Sequence, residues 1–374
     1  MLVTRLALRN FRSYESLDVQ PGPGLTVAWG RNGAGKTNLL EALYFACTGR
    51  SCRTSNEREV VRFGGGLTRL ELGTRDRDGT EHGITVGFEP GQPKRLQVDG
   101  ATVERLSDSP ARPLVSVFLP DRLELVSGPP ALRRGHLDQV ITAVWPSRRA
   151  TRTVYSAALA QRNALLALIR AGRAGRSSLP AWDSELARHG FELMRDRIEV
   201  VEALAAGFAT QASALGLDGN ASIRYSPRSR AQDAQGLADE LAARVDQDLE
   251  RGFTTHGPHR DDLVFRREEH DLRSYGSRGQ QRVALLALLL AERAHIGMMR
   301  GTVPLMLLDD VMSELDGSRR EALTRQLLAE GQSLITTTDL SHVPGAERPD
   351  VVRLAVTDGA VLRSEPEPGE RAAS

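Results

Sequence analysis

Lysine is nearly absent from this chain. Lysine and arginine together number 49, yet only Lys36 and Lys94 are lysine. An N-K-x-D guanine motif therefore has nowhere to form, which excludes the common GTPase design. Neither Val-Ala-Ile-Lys nor Asp-Phe-Gly occurs, so the superficially kinase-like "PHRDDL" (258–263) is no catalytic loop. Cysteine is equally scarce: Cys47 and Cys52 give no disulfide framework and fit no zinc ribbon, which points to a reducing compartment. The longest apolar run, Val283 to Ala291, is too short to span a bilayer, and "MLVTRLALRNF" lacks a signal-peptide core. The expectation is a cytoplasmic protein without a membrane partner. An excess of one charge is missing too: at a net +1, any nucleic-acid site must be a local patch. What remains is an ordinary globular composition, 40% hydrophobic and 26% charged, in 374 residues, enough for two or three domains.

The lysine at 36 has telling neighbours. In "LTVAWGRNGAGKTNLLEALYFACTG", Leu25 to Trp29 reads as a short buried strand and Asn38 to Thr48 as a helix that Gly49 ends. Between them Gly30, Gly35, Lys36 and Thr37 fit G-x-x-x-x-G-K-[ST] in the strand–loop–helix setting a P-loop requires. Backbone N–H groups along Gly30, Arg31, Asn32, Gly33, Ala34 and Gly35 can curl round phosphates, and the helix start at Asn38 adds a favourable dipole. Lys36 would reach the β- and γ-phosphates of ATP, and the Thr37 hydroxyl would take Mg²⁺.

A P-loop needs a second strand that ends in an acid reaching the same metal. "VPLMLLDD" supplies one, with Asp309 on Mg²⁺ and Asp310 beside it to orient or deprotonate the attacking water. An Asp capping a turn is the ordinary alternative, but two adjacent carboxylates at a buried strand end call for a cation.

"YGSRGQQRVALLALLLAERAH" places Ser277, Gly279, Gln280 and Gln281 ahead of a strongly apolar helix. Ser277 as an N-cap explains part of this. A P-loop, an S-x-G-Q-Q loop and a double-acid strand end in one chain resemble the ATP-binding-cassette heads of chromosome-maintenance and DNA-repair ATPases. That resemblance implies that Ser277 and Gly279 contact the γ-phosphate held by another subunit. "ALRNFRSYESLDV", "FLPDRLELVSGPPALRRGHLDQVI" (118–141), "THGPHRDDL", "SRGQQR" and "LLDDVMSELD", in order from about residue 2 to about 340, resemble the RecF family of bacterial recombination mediators. The family resemblance implies an ATP-dependent homodimer with Ser313 to Asp316 along its seam, sequence-independent binding of DNA (single-stranded, duplex or junction), and RecO/RecR-type mediator partners. Loading of recombinase and support of the SOS response follow from the same resemblance. Two departures stand out. Thr338 occupies the usual switch-histidine position, with His342 four residues on, and no Gln-loop glutamine is evident, Asp121 being the nearest polar residue. With Asp310 where a Glu is common, these suggest slow hydrolysis used as a switch, and the family resemblance implies that it depends on DNA.

The expected fold is α/β: an ABC-type P-loop ATPase head of mixed sheets with flanking helices, plus an inserted helical arm as second domain. Residues 1–119 and 220–374 would form the head, with 363–374 disordered, and 120–219 the arm. Val154, Tyr155, Ala158, Leu159, Arg162, Leu165, Leu166 and Ile169 keep a helical stripe, "AGRAGRSSLP" (171–180) breaks it, and a second helix runs from Trp182 to Phe208. Arg133, Arg134, Arg148, Arg149, Arg152, Arg162, Arg170, Arg173 and Arg176 could line a DNA groove as a group, although solvated helix faces account for most such charges. Three functions compete: an ATP-gated DNA-binding dimer of recombinational repair and replication restart, the ATP-binding subunit of a transporter, and a P-loop metabolite kinase.

Overall fold

The structure, a computed structural model, describes residues 1–364. Two compact units emerge, residues 1–122 with 296–374 and residues 123–295.

The first unit begins with β1 (Leu2–Phe11), β2 (Tyr14–Val19), β3 (Leu25–Trp29) and α1 (Lys36–Thr48). It continues through β4 (Thr68–Arg75), β5 (Glu81–Phe88), β6 (Arg95–Val98), β7 (Ala101–Thr102) and β8 (Val115–Phe118). Alternation along β4, and along β1 after the irregularity between Val3 and Arg5, buries Leu6, Leu8, Leu70 and Leu72 and exposes Arg5, Arg9 and Arg69. Such strands suit an antiparallel sheet with one wet face, and they form one in the order β2-β1-β4-β5-β6-β7. Helix α1 starts two residues earlier than its sequence pattern suggests, because Gly35 takes the left-handed conformation and Lys36 is already helical. Gly49 closes it in the same conformation, as expected.

The second unit opens with α2 (Glu124–Ser127), α3 (Pro130–Val144), α4 (Arg149–Arg170) and α5 (Leu179–Ala214). Helix α5 begins before Pro180, not after it, since proline in the first turn displaces no intrahelical hydrogen bond. Arg162 of α4 pairs with Asp183 of α5, and Tyr155 lies against Gly190, so the two helices run antiparallel. Their shared core holds Tyr155, Ala158, Leu186, Ala187, Leu193 and Met194, with Leu237 and Leu241 of α6 (Ala234–Ala242). After α7 (Val245–Arg251), strands β9 (Ala221–Ser226), β10 (Asp262–Arg267) and β11 (His270–Asp271) form a three-stranded sheet. Short α8 (Leu272–Tyr275) leads to α9 (Arg278–Arg300). Residues 220–295, assigned from sequence to the head, thus share a compact unit with the arm.

The chain re-enters the first unit with β12 (Leu305–Leu308), α10 (Gly317–Ala329), β13 (Ser333–Thr337), β14 (Val352–Thr357) and β15 (Ala360–Ser364). Strands β12 and β13 are buried at every residue, as strands of a parallel sheet covered on both faces must be. The order is β15-β14-β3-β13-β12-β8, parallel except at the β15 edge. One core joins this sheet, α1 and the antiparallel sheet, with Phe11 and Phe45 rings 5.7 Å apart. Arg363 and Ser364, placed from sequence in a disordered tail, end β15. The rest of that tail lies outside the described residues.

Candidate nucleotide site

Strand β3 hands the chain to the loop 30–35 through a hydrogen bond from Gly30 N–H to the Thr337 carbonyl, 3.2 Å. Two glycines in the loop are obligatory. A Cβ at Gly30 would sit 2.2 Å from the Val356 carbonyl oxygen, and one at Gly35, at φ 109°, would meet the Tyr14 hydroxyl at 2.9 Å. Tyr14 donates to the Gly35 carbonyl at 3.0 Å, fixing the end of the loop from the first sheet. No side chain caps α1 and no acidic residue lies in its first turn, so the N–H groups of Lys36, Thr37 and Asn38 face the loop uncompensated.

Lys36 is buried and donates to the carbonyls of Gly30 and Arg31 at 2.7 and 2.9 Å. Burial lowers its pKa from the usual lysine value, opposed by the charges of Asp310 and Asp309. Those carboxylates therefore favour the ammonium form in this pocket.

The parallel register places Leu308 of β12 beside Ile335 of β13, so Asp309 follows next to Thr336. Asp309 accepts from the Thr37 hydroxyl at 3.0 and 2.9 Å and from the Thr336 hydroxyl at 2.6 Å. Thr336 in turn accepts from the Asp310 N–H at 2.9 Å. Thr336 is a site residue that the sequence pattern did not reveal; its only signal was a triple threonine at a strand end. Asp310 adopts the left-handed conformation, φ 46°, which is uncommon for a residue with a side chain and marks strain at a turn built for position. Its Oδ1 is buried with no hydrogen-bond partner among the described residues. A buried, unpartnered carboxylate oxygen is costly unless something positive or protic meets it. Thr37, Asp309 and Asp310 are hard oxygen donors that fit a magnesium ion. No group of three or more His, Cys, Asp or Glu placed to hold a metal ion by itself forms among the described residues. Such an ion would therefore complete its shell with phosphate and water oxygens, as Mg²⁺ ordinarily does.

Asn38 donates to Ser13 Oγ at 2.9 Å and accepts from Arg53 at 3.1 Å. Arg53 links it to a second group missed from sequence, centred on the fully buried Glu41, which binds Arg12 at 2.8 and 2.9 Å and Arg53 at 3.2 Å. Thr338 follows β13 and is half-buried. His342 lies on the turn 340–342 with Nδ1 buried and unpartnered among the described residues, and Asp121 is exposed.

Ser277, Gly279 and Gln280 belong to the second unit. Ser277 and Gln280 form a reciprocal capping box: Ser277 N–H donates to Gln280 Oε1 at 2.9 Å, and Gln280 N–H to Ser277 Oγ at 3.3 Å. The N-cap role is thus real. It does not explain Gly279, whose backbone is helical and whose hypothetical Cβ would meet only Ser277 Oγ, at 3.9 Å. Glycine there costs about 0.5–1 kcal/mol against alanine, and nothing within the chain requires it.

The arm arginines are a correction. Arg133 is 1% exposed and bidentate to Asp262, and Arg162 is 0% exposed between Asp183, Asp248 and Thr254. Arg148 binds Asp196 and Glu199, Arg152 binds Asp138, and Arg176 binds Asp246. Arg134 donates to the Asp261 carbonyl. Burial withdraws Arg133 and Arg162 from any DNA groove, and carboxylate partners weaken the case for Arg148, Arg152 and Arg176.

A P-loop entered from one parallel strand and faced by an acid from another, in a sheet with an antiparallel companion, defines a P-loop ATPase head of the ATP-binding-cassette type. The profile of an AAA domain matches residues 5–112. A DNA replication and repair protein RecF of Chloroflexus aurantiacus is 37% identical, over 97% of this chain and all of the relative. A solved structure of the recombination mediator protein RecF with ATP superimposes with a TM-score of 0.84, at 27% identity and 97% coverage of both chains. An Smc head bound to the C-winged helix domain of ScpA, at 16% identity and TM-score 0.60, shares the fold alone. The chain belongs to the RecF family.

Proposed function

We propose that the chain is an ATP-gated, DNA-binding ATPase of recombinational repair and replication restart. The observation that carries this reading is the Thr37–Asp309–Thr336 hydrogen-bonded set, with the strained Asp310 beside it. Mg·ATP, when bound, supplies the phosphoryl group and its charge-neutralising metal. Lys36 and the N–H groups of the loop bind phosphate oxygens, Thr37 and Asp309 hold the metal, and Asp310 orients a water and accepts its proton. Ser277 and the start of α9 serve the γ-phosphate on a second copy of the chain, and the unencumbered Gly279 allows that close approach. Arg31, Asn32, Gly33, Ala34, Asn38 and Gln280 line the two halves of this composite site. Thr338 in place of a histidine, and Asp310 in place of a glutamate, make hydrolysis slow, so ATP governs dimerisation more than it drives motion. DNA, RecO/RecR-type mediators and loading of recombinase complete the reading, with support of the SOS response downstream.

Family membership favours this over a transporter subunit or a metabolite kinase. No helix among the described residues is long and apolar enough to cross a membrane. Size-exclusion chromatography with ATP, ADP or no nucleotide, each with and without duplex DNA, tests it. A dimer with ATP that retains DNA is expected; a monomer under all conditions would overturn the reading.

A further inference from the structure

Arg133, Arg148, Arg152, Arg162 and Arg176 of the arm are engaged with carboxylates, which motivates a search for a nucleic-acid surface on the first unit as well. The wet face of the antiparallel sheet offers one. Register sets Arg9 of β1 opposite Arg69 of β4, Arg69 opposite Gly87 of β5, and Gly87 opposite Arg95 of β6. Cross-strand partners share a face, so the three arginines form one row. At ~4.8 Å per strand the row is about 14 Å long, the rise of about four nucleotides. Like charges directly opposite each other destabilise a sheet, and Arg9–Arg69 is such a pair. Arg69 contacts Glu71 at 2.9 Å, while Arg9 and Arg95 make no ion pair among the described residues. Gly87 leaves the middle of the row without a side chain. A groove of about 690 Å³ borders it, lined by Arg5, Arg9 and Arg69, by Asp18 and Glu71, which pair with Arg5 and Arg69, and by Gly359 and the start of β15, so Arg9 is the arginine left unpaired in it.

A loop carrying an exposed aromatic residue is anchored next to one end of this row. Arg62 N–H donates to the Asn10 carbonyl at 2.9 Å and Asn10 Nδ2 to the Leu67 carbonyl at 3.2 Å, so both ends of the loop 62–67 are tied beside Arg9. Phe63, on that loop, is fully exposed. An exposed ring on a loop anchored beside the unpaired Arg9 is a combination suited to single strands, bases stacking on the ring and phosphates tracking the charges.

We propose that this face of the first unit is a single-stranded DNA contact: Arg9, Arg69 and Arg95 take backbone phosphates and Phe63 stacks on an unpaired base. The proposal rests on the DNA-binding reading above and names the surface that performs it. The test measures binding of labelled oligo(dT) to the full chain with ATP across a salt series. Replacing Arg9, Arg69 and Arg95 together by alanine should lower the slope of log K against log salt by about 2, at ~0.7 per lost phosphate contact. Phe63→Ala should weaken binding about tenfold at fixed salt with the slope unchanged. Arg75→Ala, on the same sheet face but paired with Glu81, should change neither. All variants should bind ATP and dimerise as the wild type does. Wild-type affinity in both the arginine and the Phe63 variants would overturn the proposal, as would a loss that merely follows lost dimerisation. A loss confined to the arginine variant would overturn the stacking role. Failure of the wild type itself to bind DNA would instead refute the proposed function.

Discussion

Thr336→Val isolates the residue that links the two acids. Valine keeps the β-branched shape and removes only the hydroxyl, which now donates to Asp309 at 2.6 Å and accepts from the Asp310 N–H at 2.9 Å. Thr336 is 0% exposed, so water cannot replace either bond. Losing a hydrogen bond to a charged group costs about 1.5–3 kcal/mol, and a buried N–H left unpaired about 1–3 kcal/mol. The two losses share one atom and will not add fully, which puts the expected destabilisation at about 3 kcal/mol. Asp309 would keep its contact with Thr37 but lose the bond that fixes its rotation. By analogy with other residues that orient a metal ligand, Mg·ATP affinity should fall about 10- to 100-fold. Thermal melts without nucleotide and titration with a fluorescent ATP analogue read the two effects separately. Thr336→Ser retains the hydroxyl and should recover most of both. If the valine and serine variants matched in melting and in nucleotide affinity, Thr336 would be mere strand filling.

Three further predictions bear on the same picture. Asp310→Asn should bind ATP nearly normally and abolish hydrolysis, accumulating the ATP dimer, because an amide positions water but cannot take its proton; an ATP affinity as poor as that of Asp309→Ala would contradict the division of roles. Ser277→Arg should bind ATP yet fail to dimerise, and mixing it with Lys36→Ala should restore part of the hydrolysis through one intact composite site; no recovery at any ratio, with both proteins folded, would show that Ser277 does not act across a subunit boundary. Arg162→Met leaves Asp183 and Asp248 buried without their cation, a loss of about 3–5 kcal/mol in stability, whereas any shift in oligo(dT) affinity beyond that of unfolding would return this arginine to the DNA surface.

The legible parts of this protein are those whose chemistry is local in sequence. The P-loop announces itself because one loop must supply the glycines, the lysine and the hydroxyl at fixed spacing. Asp309 and Asp310 are legible for the same reason, following the four-residue apolar strand Leu305–Leu308 that could only be a buried one. Thr336 was hidden because its role depends on register: three threonines in a row differ only in which one β13 sets beside Asp309. Glu41 was hidden as well, since a glutamate in a helix ordinarily faces water, and only the folded chain brings Arg12 and Arg53 to it.

The arm shows why arginine counts mislead in a chain that uses almost no lysine. Arg162 falls on the same helical stripe as Tyr155, Ala158 and Leu166, so periodicity alone marked it as buried, while composition alone marked it as basic surface. The planar guanidinium resolves the conflict, since its Nε reaches Asp183 while its Nη1 reaches Asp248 and Thr254, although Nη2 is left buried without a partner among the described residues. Arg197 does the same with Asp138 and the Pro258 carbonyl, and Arg133 with Asp262. Buried pairs of this kind add little net stability but penalise every misaligned packing, because a slipped helix strands a charge. The motif at 255–263 supplies Pro258 and Asp262 to these pairs, and His259 to Tyr155 at 2.7 Å. Its residues therefore tie the arm helices to one register within the second unit. On the sheet face, by contrast, Arg9 and Arg95 make no ion pair among the described residues, although Arg69 and Arg75 beside them do.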